Sequence, residues 1–199
     1  MQVQQTQVQT DRVWTLPNVL TGVRLLTIPL FLWLALVPEA DVAAALVLVV
    51  GGLTDLLDGM LARRWNQISR VGQLLDPIAD RLSTLAVMVV FLVRGVVPVW
   101  FVLLLLGRDA VLSVQMARLK RTGITGLPVN FVGKAATFNL MISFPLLLWG
   151  VTAVAGPAMA ARVLGWALAI WGAGLYLYSG GLYVRQSRDI LSARPVAGG

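Results

Sequence analysis

Apolar residues run along this chain in six long blocks, and polar positions fall between the blocks instead of alternating with them. The blocks cover about 17–37, 42–62, 74–93, 98–117, 134–153 and 163–184. Each is close to the roughly 20 residues that carry a helix across a bilayer, and none shows the period-two alternation of a half-buried strand. Breaks fall at Pro38-Glu39, from Gly95 to Pro98, from Gly123 to Pro128 and at Gly156-Pro157, where glycine and proline end helices. Pro29 and Pro145 sit inside the first and fifth blocks; a membrane helix tolerates proline where neighbours satisfy the freed carbonyl. The pattern predicts an all-α, polytopic membrane protein of six transmembrane helices.

The ends differ from the middle. Residues 1–15 are polar, with Gln2, Gln4, Gln5, Gln7 and Gln9 in an irregular series, and read as a disordered or surface-lying tail. They do not read as a cleaved signal peptide, because the first apolar run begins only near Leu16 and no cleavage site is evident. The expected organisation is a tail at 1–15, one membrane domain at 16–186 and a C-terminal tail at 187–199, with no internal repeat.

Composition agrees and adds exclusions. Of 199 residues, 58% are hydrophobic and 13% charged, against about a quarter charged in soluble domains, and the mean hydropathy is +0.81. The net charge of +7 sits in clusters between apolar runs, which suits anionic lipid headgroups and topology and argues against a nucleic-acid partner. A cytoplasmic N-terminus puts Arg12, Arg63, Arg64, Arg70, Arg118, Lys120, Arg121, Arg185, Arg188 and Arg194 inside. The other side then holds only Arg94 and Arg162, with Glu39 and Asp41. The positive-inside rule thus predicts a multi-pass protein of the cell membrane with both termini cytoplasmic. With no cysteine and no histidine, disulfides, thiolate metal sites, phosphohistidine chemistry and the commonest neutral-pH base are all excluded. Acid–base work would fall to carboxylates, Lys, Tyr or a metal.

Four aspartates stand where lipid does not accept them without a reason. Asp55 and Asp58 lie near the cytoplasmic end of the second block, and Asp76 and Asp80 open the third. Each uncompensated charge at membrane depth costs about 3 kcal/mol or more, and the four would repel one another. Residues three and four apart share a helix face, so Asp55, Asp58, Gly59 and Ala62 form one stripe and Gly72, Asp76 and Asp80 another. The short link from Arg63 to Arg70 predicts antiparallel neighbours whose carboxylates converge. Hard oxygen donors suit Mg²⁺ or Mn²⁺, two such ions balance four carboxylates, and a two-metal site is suited to phosphoryl displacement. Read singly, Asp76 before Pro77 is also a plausible helix start.

Read together, Asp55-x2-Asp58-Gly59-x2-Ala62-Arg63-x8-Gly72-x3-Asp76-x3-Asp80 resembles the signature of the CDP-alcohol phosphotransferases at every fixed position. The resemblance implies transfer of a phosphatidyl group from CDP-diacylglycerol to an alcohol, with release of CMP and a cytoplasm-facing active site. It implies that Asp55, Asp58, Asp76 and Asp80 hold two metal ions, with Asp80 also the base on the acceptor hydroxyl. Gly59, Ala62 and Gly72 would admit the nucleotide, Arg63 would pair with the diphosphate, and Ser69, Asn18 and Thr21 would line the donor site. Arg108 and Lys134 are candidates for the acceptor site, although Arg108 and Asp109 also read as a structural ion pair and Lys134 as a residue reaching the headgroups.

For the acceptor, the stretch Gly52 to Gly59, the pair Arg108-Asp109 and the stretch Leu127 to Phe138 are similar to the cardiolipin-forming branch of the family, which uses phosphatidylglycerol. Ala62 to Gln67 also resembles the branch that uses glycerol 3-phosphate. Gly172, Gly174, Gly180 and Gly181 in the last block suggest close helix packing, including that of a homodimer. Trp14, Trp65, Trp149, Trp166 and Trp171 include several expected interface anchors. A non-catalytic lipid-binding protein remains an alternative, but a decayed site would have lost an aspartate.

Overall fold

Each apolar block forms one helix. The computed structural model describes the backbone of residues 16–65, 70–121, 131–153 and 155–192, and the side chains of 22–55, 78–119, 131–153 and 155–190. Among these residues there are six helices and no strand: α1 (Leu16–Leu36), α2 (Asp41–Trp65), α3 (Arg70–Val93), α4 (Val99–Arg121), α5 (Phe131–Trp149) and α6 (Pro157–Ser192). Three described segments are long and apolar enough to cross a membrane, Val99–Leu119, Phe131–Trp149 and Pro157–Ile190, and Gly22–Leu36 is a shorter apolar helix. The expected tail at 1–15 and the break from Gly123 to Pro128 lie outside the described residues.

The helix ends follow local chemistry. Gly95 and Gly156 adopt φ of 62° and 69°, the left-handed conformation that closes a helix or turn at little cost to glycine. Pro157 then opens α6, where its missing N–H costs nothing. Pro29 and Pro145 lie inside α1 and α5 as expected. Two expectations are corrected. Asp76-Pro77 does not begin a helix, because α3 already starts at Arg70. And α6 runs to Ser192, since no glycine or proline follows Gly181 until Pro195. The boundary expected at 186 therefore falls inside a helix. At 1.5 Å per residue the 36 residues of α6 span about 54 Å, well beyond a hydrocarbon core of about 30 Å.

The core is built from all six helices, with Phe31, Ala44, Val90, Phe91, Phe101, Leu147 and Ala169 almost wholly buried. Edge-to-face ring pairs join α3 to α5 (Phe91–Phe144, 5.5 Å between centroids) and α4 to α6 (Phe101–Trp166, 5.8 Å). Trp166 is thus a packing residue, whereas Trp33, Trp100 and Trp171 stand on the outer surface. That surface also carries Leu26, Val93, Leu103 and Ile170, an apolar exterior suited to lipid and not to water.

Two packing relations position the site. First, α1 lies against both α2 and α3, so among the described residues the two helices expected as direct neighbours are joined chiefly through α1. Second, α5 and α6 form a close hairpin that also packs on α2 and α4, respectively. A Cβ at Gly150 would stand 2.7 Å from the Arg162 Cα, and one at Gly172 3.1 Å from the Asn139 Cβ, so these positions exclude any side chain without movement. Close packing by glycine is therefore realised within the chain at Gly172.

At one end of the bundle, Arg94 makes paired bonds to the Asp41 carboxylate (2.8 and 3.2 Å), donates to the Ala35 carbonyl (2.7 Å) and reaches Glu39 at 3.5 Å. Arg94, Glu39 and Asp41 are three of the four charges that the sequence pattern assigns to one common side. Paired Arg–carboxylate bonds are among the strongest polar contacts available at a membrane surface. They pin the α1–α2 turn to the end of α3.

Candidate active site

Asp55 lies 14 residues beyond Asp41 on α2, so it stands about 21 Å along the helix from the Arg94 cluster, near the other end of the bundle. There its carboxylate ion-pairs with Arg24 of α1. The same guanidinium bonds the Asp80 carboxylate of α3 at 2.7 Å. Two expected metal ligands from different helices thus converge on one cation. The arrangement follows from α1 lying between α2 and α3. Arg24 is buried, with its side chain 5% exposed, while Asp55 and Asp80 are about half exposed, so the carboxylates face an open volume.

That volume is a cavity of about 350 Å³ lined by residues of all six helices. Its polar wall includes Arg24, Asp55, Asp80, Ser83, Thr84, Asp109, Thr137 and Tyr176. Its apolar wall includes Phe31, Met88, Leu105, Leu140 and Phe144. A reactive polar pole joined to an apolar wall within a helix bundle suits a substrate with a charged head and acyl chains. A second, nearly all-apolar groove of about 450 Å³ lies between α2 and α5 and shares Leu48, Gly52, Met141 and Pro145 with the first.

On the same cavity wall, α4 and α6 carry a second polar cluster. Tyr176 donates its hydroxyl to Asp109 Oδ1 at 2.6 Å, and Arg108 donates to the same oxygen at 3.2 Å. The Arg108 guanidinium lies over the Tyr176 ring, 3.8 Å from its centroid, and also donates to the Tyr176 carbonyl. Arg81, one residue after Asp80, approaches Asp109 Oδ2 at 3.8 Å.

The candidate residues therefore divide. Asp55 and Asp80 are brought together, and the backbone puts Asp58, Gly59, Ala62 and Arg63 on α2 and Gly72 and Asp76 on α3, with Gly72, Asp76 and Asp80 four residues apart on one helix. Asn18 and Thr21 lie on α1. The side chains of Asn18, Thr21, Asp58, Ala62, Arg63 and Asp76, and the whole of Ser69, lie outside the described residues. The pair Arg108-Asp109 forms, but Arg108 does not line the cavity; Asp109 does. Lys134 is exposed, 5.7 Å from the Phe131 ring, and is not part of the cavity wall; Thr137, one turn later, is. Sequence reasoning missed Arg24, although the signal was present: it is the only charged residue in the apolar run Leu16–Leu36. An ionisable residue so placed is a functional candidate by default.

The donor set suits a hard divalent cation: carboxylate oxygens from two helices share one cationic partner and face an open volume, with two more aspartates on the same helices. Helical architecture, an apolar exterior and two carboxylates gathered by an arginine at the polar end of a largely apolar cavity suit a membrane enzyme. The model of the CDP-alcohol phosphatidyltransferase family matches residues 14–171, and the chain belongs to that family. It is 52% identical over 198 residues to the CMP-forming cardiolipin synthase of Streptomyces coelicolor, covering 97% of this chain and 92% of that protein. It is 43% identical over 187 residues to a putative cardiolipin synthase of Mycobacterium tuberculosis, covering 93% and 88%. To the CDP-diacylglycerol–glycerol-3-phosphate 3-phosphatidyltransferase of Escherichia coli it is 36% identical over 146 residues, covering 68% and 78%.

Proposed function

We propose that this enzyme transfers the phosphatidyl group of CDP-diacylglycerol to phosphatidylglycerol, forming cardiolipin and releasing CMP. The observation that carries the reading is the convergence of Asp55 and Asp80 on Arg24 at the polar pole of a cavity that is otherwise largely apolar. The acceptor hydroxyl gives its proton to Asp80 as its oxygen bonds the phosphorus attached to diacylglycerol. The bond from that phosphorus to the bridging oxygen breaks, and CMP departs with the electron pair. In a chain without histidine, a carboxylate in the cavity is the economical base.

Asp55, Asp58, Asp76 and Asp80 would hold two divalent cations, Mg²⁺ or Mn²⁺, which when bound supply Lewis-acid charge on the diphosphate. Arg63 would add charge on the leaving phosphate. Gly59, Ala62, Gly72, Ser69, Asn18 and Thr21 would form the nucleotide side of the pocket. Arg24 is the positioning residue for Asp80 and Asp55.

Phosphatidylglycerol is favoured over glycerol 3-phosphate by the cavity itself. A small dianion calls for several converging cations, yet neither Arg108 nor Lys134 lines the wall, Asp109 does, and the lining cation Arg24 is engaged by Asp55 and Asp80. The apolar wall and the adjoining groove between α2 and α5 suit a second lipid. The relatives named for cardiolipin synthesis also share more of the chain than the one named for glycerol 3-phosphate. Purified protein given CDP-diacylglycerol, Mg²⁺ and one acceptor at a time is expected to yield cardiolipin from phosphatidylglycerol and little product from glycerol 3-phosphate, read by mass spectrometry. A glycerol 3-phosphate product formed far faster at matched saturation would replace this assignment with the alternative.

The reading places six spans in the cell membrane, both termini in the cytoplasm and the carboxylate pole facing it. It includes a homodimer, for which Gly174 and Gly181 leave open space on α6, with no described atom within 4 Å of an added Cβ. Single cysteines introduced into this cysteine-free chain at Glu39 and at Arg121 are expected to react with an impermeant reagent from opposite sides. Reaction of both from one side contradicts the topology.

A further inference from the structure

We propose that Asp109 and Tyr176 form the acceptor subsite, a hydrogen-bonding pair that recognises the vicinal diol of the attacking glycerol unit. The inference rests on phosphatidyl transfer to phosphatidylglycerol with Asp80 as base. Phosphatidylglycerol ends in two neighbouring hydroxyls. The terminal one attacks, and the secondary one needs an acceptor elsewhere on the cavity wall. Glycerol 3-phosphate presents the same pair, so the shared chemistry is a vicinal diol.

The observations select Asp109 for this part. Its carboxylate, 18% exposed, lines the same cavity as Asp80, whereas its neighbour Arg108 does not. Oδ1 already accepts from Tyr176 at 2.6 Å and from Arg108 at 3.2 Å, which fixes the carboxylate in place. Among the described residues Oδ2 has only the longer approach of exposed Arg81 at 3.8 Å. An ionised carboxylate offers about four lone-pair sites, so Oδ2 keeps room for a hydroxyl donor. The support is closely packed: Arg108 lies over the Tyr176 ring, and a Cβ at Gly180 would stand 3.1 Å from the Arg108 Cγ, so a larger residue there would displace the arginine side chain. The cation on the cavity wall, Arg24, is already engaged by Asp55 and Asp80. Away from it the polar lining includes the Asp109 carboxylate, the Tyr176 phenol and the hydroxyls of Thr84 and Thr137, groups that suit hydroxyl ligands.

The test compares each acceptor with a partner lacking only the secondary hydroxyl. Phosphatidylglycerol is paired with phosphatidyl-1,3-propanediol, and glycerol 3-phosphate with 3-hydroxypropyl phosphate. A hydrogen bond to a charged group makes the wild-type preference for the diol, in kcat/KM, roughly 10- to 100-fold. In Asp109→Ala the preference is expected to fall to about one, through loss of activity on the diol alone, with CDP-diacylglycerol binding as in the wild type. Tyr176→Phe keeps the ring beneath Arg108 and is expected to reduce the preference by roughly threefold or more; it decides the matter if Asp109→Ala does not fold. No preference in the wild type, or an undiminished one in a variant that binds the donor normally, overturns the subsite and leaves the acceptor assignment standing. If the wild type makes no cardiolipin, the acceptor assignment falls, and the subsite stands or falls by the same ratio for the glycerol 3-phosphate pair.

Discussion

Asp80→Asn is expected to lower turnover by roughly a thousandfold, the middle of the range for loss of a positioned general base. Asparagine keeps the shape and one oxygen donor, and Asp55, Asp58 and Asp76 remain, so the affinity for CDP-diacylglycerol should change by only a few-fold. Asp58→Asn provides the contrast, because on this reading it weakens metal-dependent donor binding as well. Turnover measured at saturating donor and acceptor, beside an equilibrium binding measurement, separates the two effects. Near-normal turnover in Asp80→Asn would remove Asp80 from the role of base.

The second large effect belongs to Arg24. In Arg24→Gln, Asp55 and Asp80 lose their shared cation. Removing one partner of a fully buried ion pair costs about 3–5 kcal/mol. Both carboxylates are about half exposed here, so the expected loss is smaller, about 2 kcal/mol, together with a large loss of turnover as Asp80 is no longer held. Linkage gives a sharper signature. With the guanidinium gone, carboxylate repulsion is relieved mainly by divalent cations, so the rise in thermal midpoint on adding Mg²⁺ should be greater in Arg24→Gln than in the wild type. Arg24→Lys, which keeps the charge, should recover most of the stability and little of the geometry. Equal Mg²⁺ shifts in wild type and Arg24→Gln would contradict the coupling of Arg24 to the carboxylate pole.

Much of this was legible in the sequence because the bilayer is a demanding solvent. Backbone polar groups in hydrocarbon must be satisfied locally, so a run of about 20 apolar residues leaves little choice but a helix. The same demand made Asp55, Asp58, Asp76 and Asp80 conspicuous, and their spacing carried the family. What could not be read was which helix fills the space between α2 and α3. Periodicity ranks the faces of one helix and says nothing of its neighbours. Placing Arg24 beside Asp55 and Asp80 requires knowing that α1 packs on both partners. The pairing of Asp109 with Tyr176 was hidden for a related reason. The two are 67 residues apart, so the local pair Arg108-Asp109 drew the assignment to the arginine, while the cavity wall takes the aspartate and the tyrosine. Lys134 stands near the start of α5, exposed, and is not among the residues that line the cavity.

The central claim, phosphatidyl transfer from a nucleotide-activated lipid to an intact phosphatidylglycerol, is tested most directly by following the headgroup glycerol. Phosphatidylglycerol labelled in that glycerol is incubated with CDP-diacylglycerol, Mg²⁺ and the purified protein, and CMP, cardiolipin and free glycerol are counted. The expected result is one CMP per cardiolipin, all label retained in the lipid, no free glycerol, and no product when the cation is chelated. Release of labelled glycerol with CDP-diacylglycerol left unconsumed would contradict it.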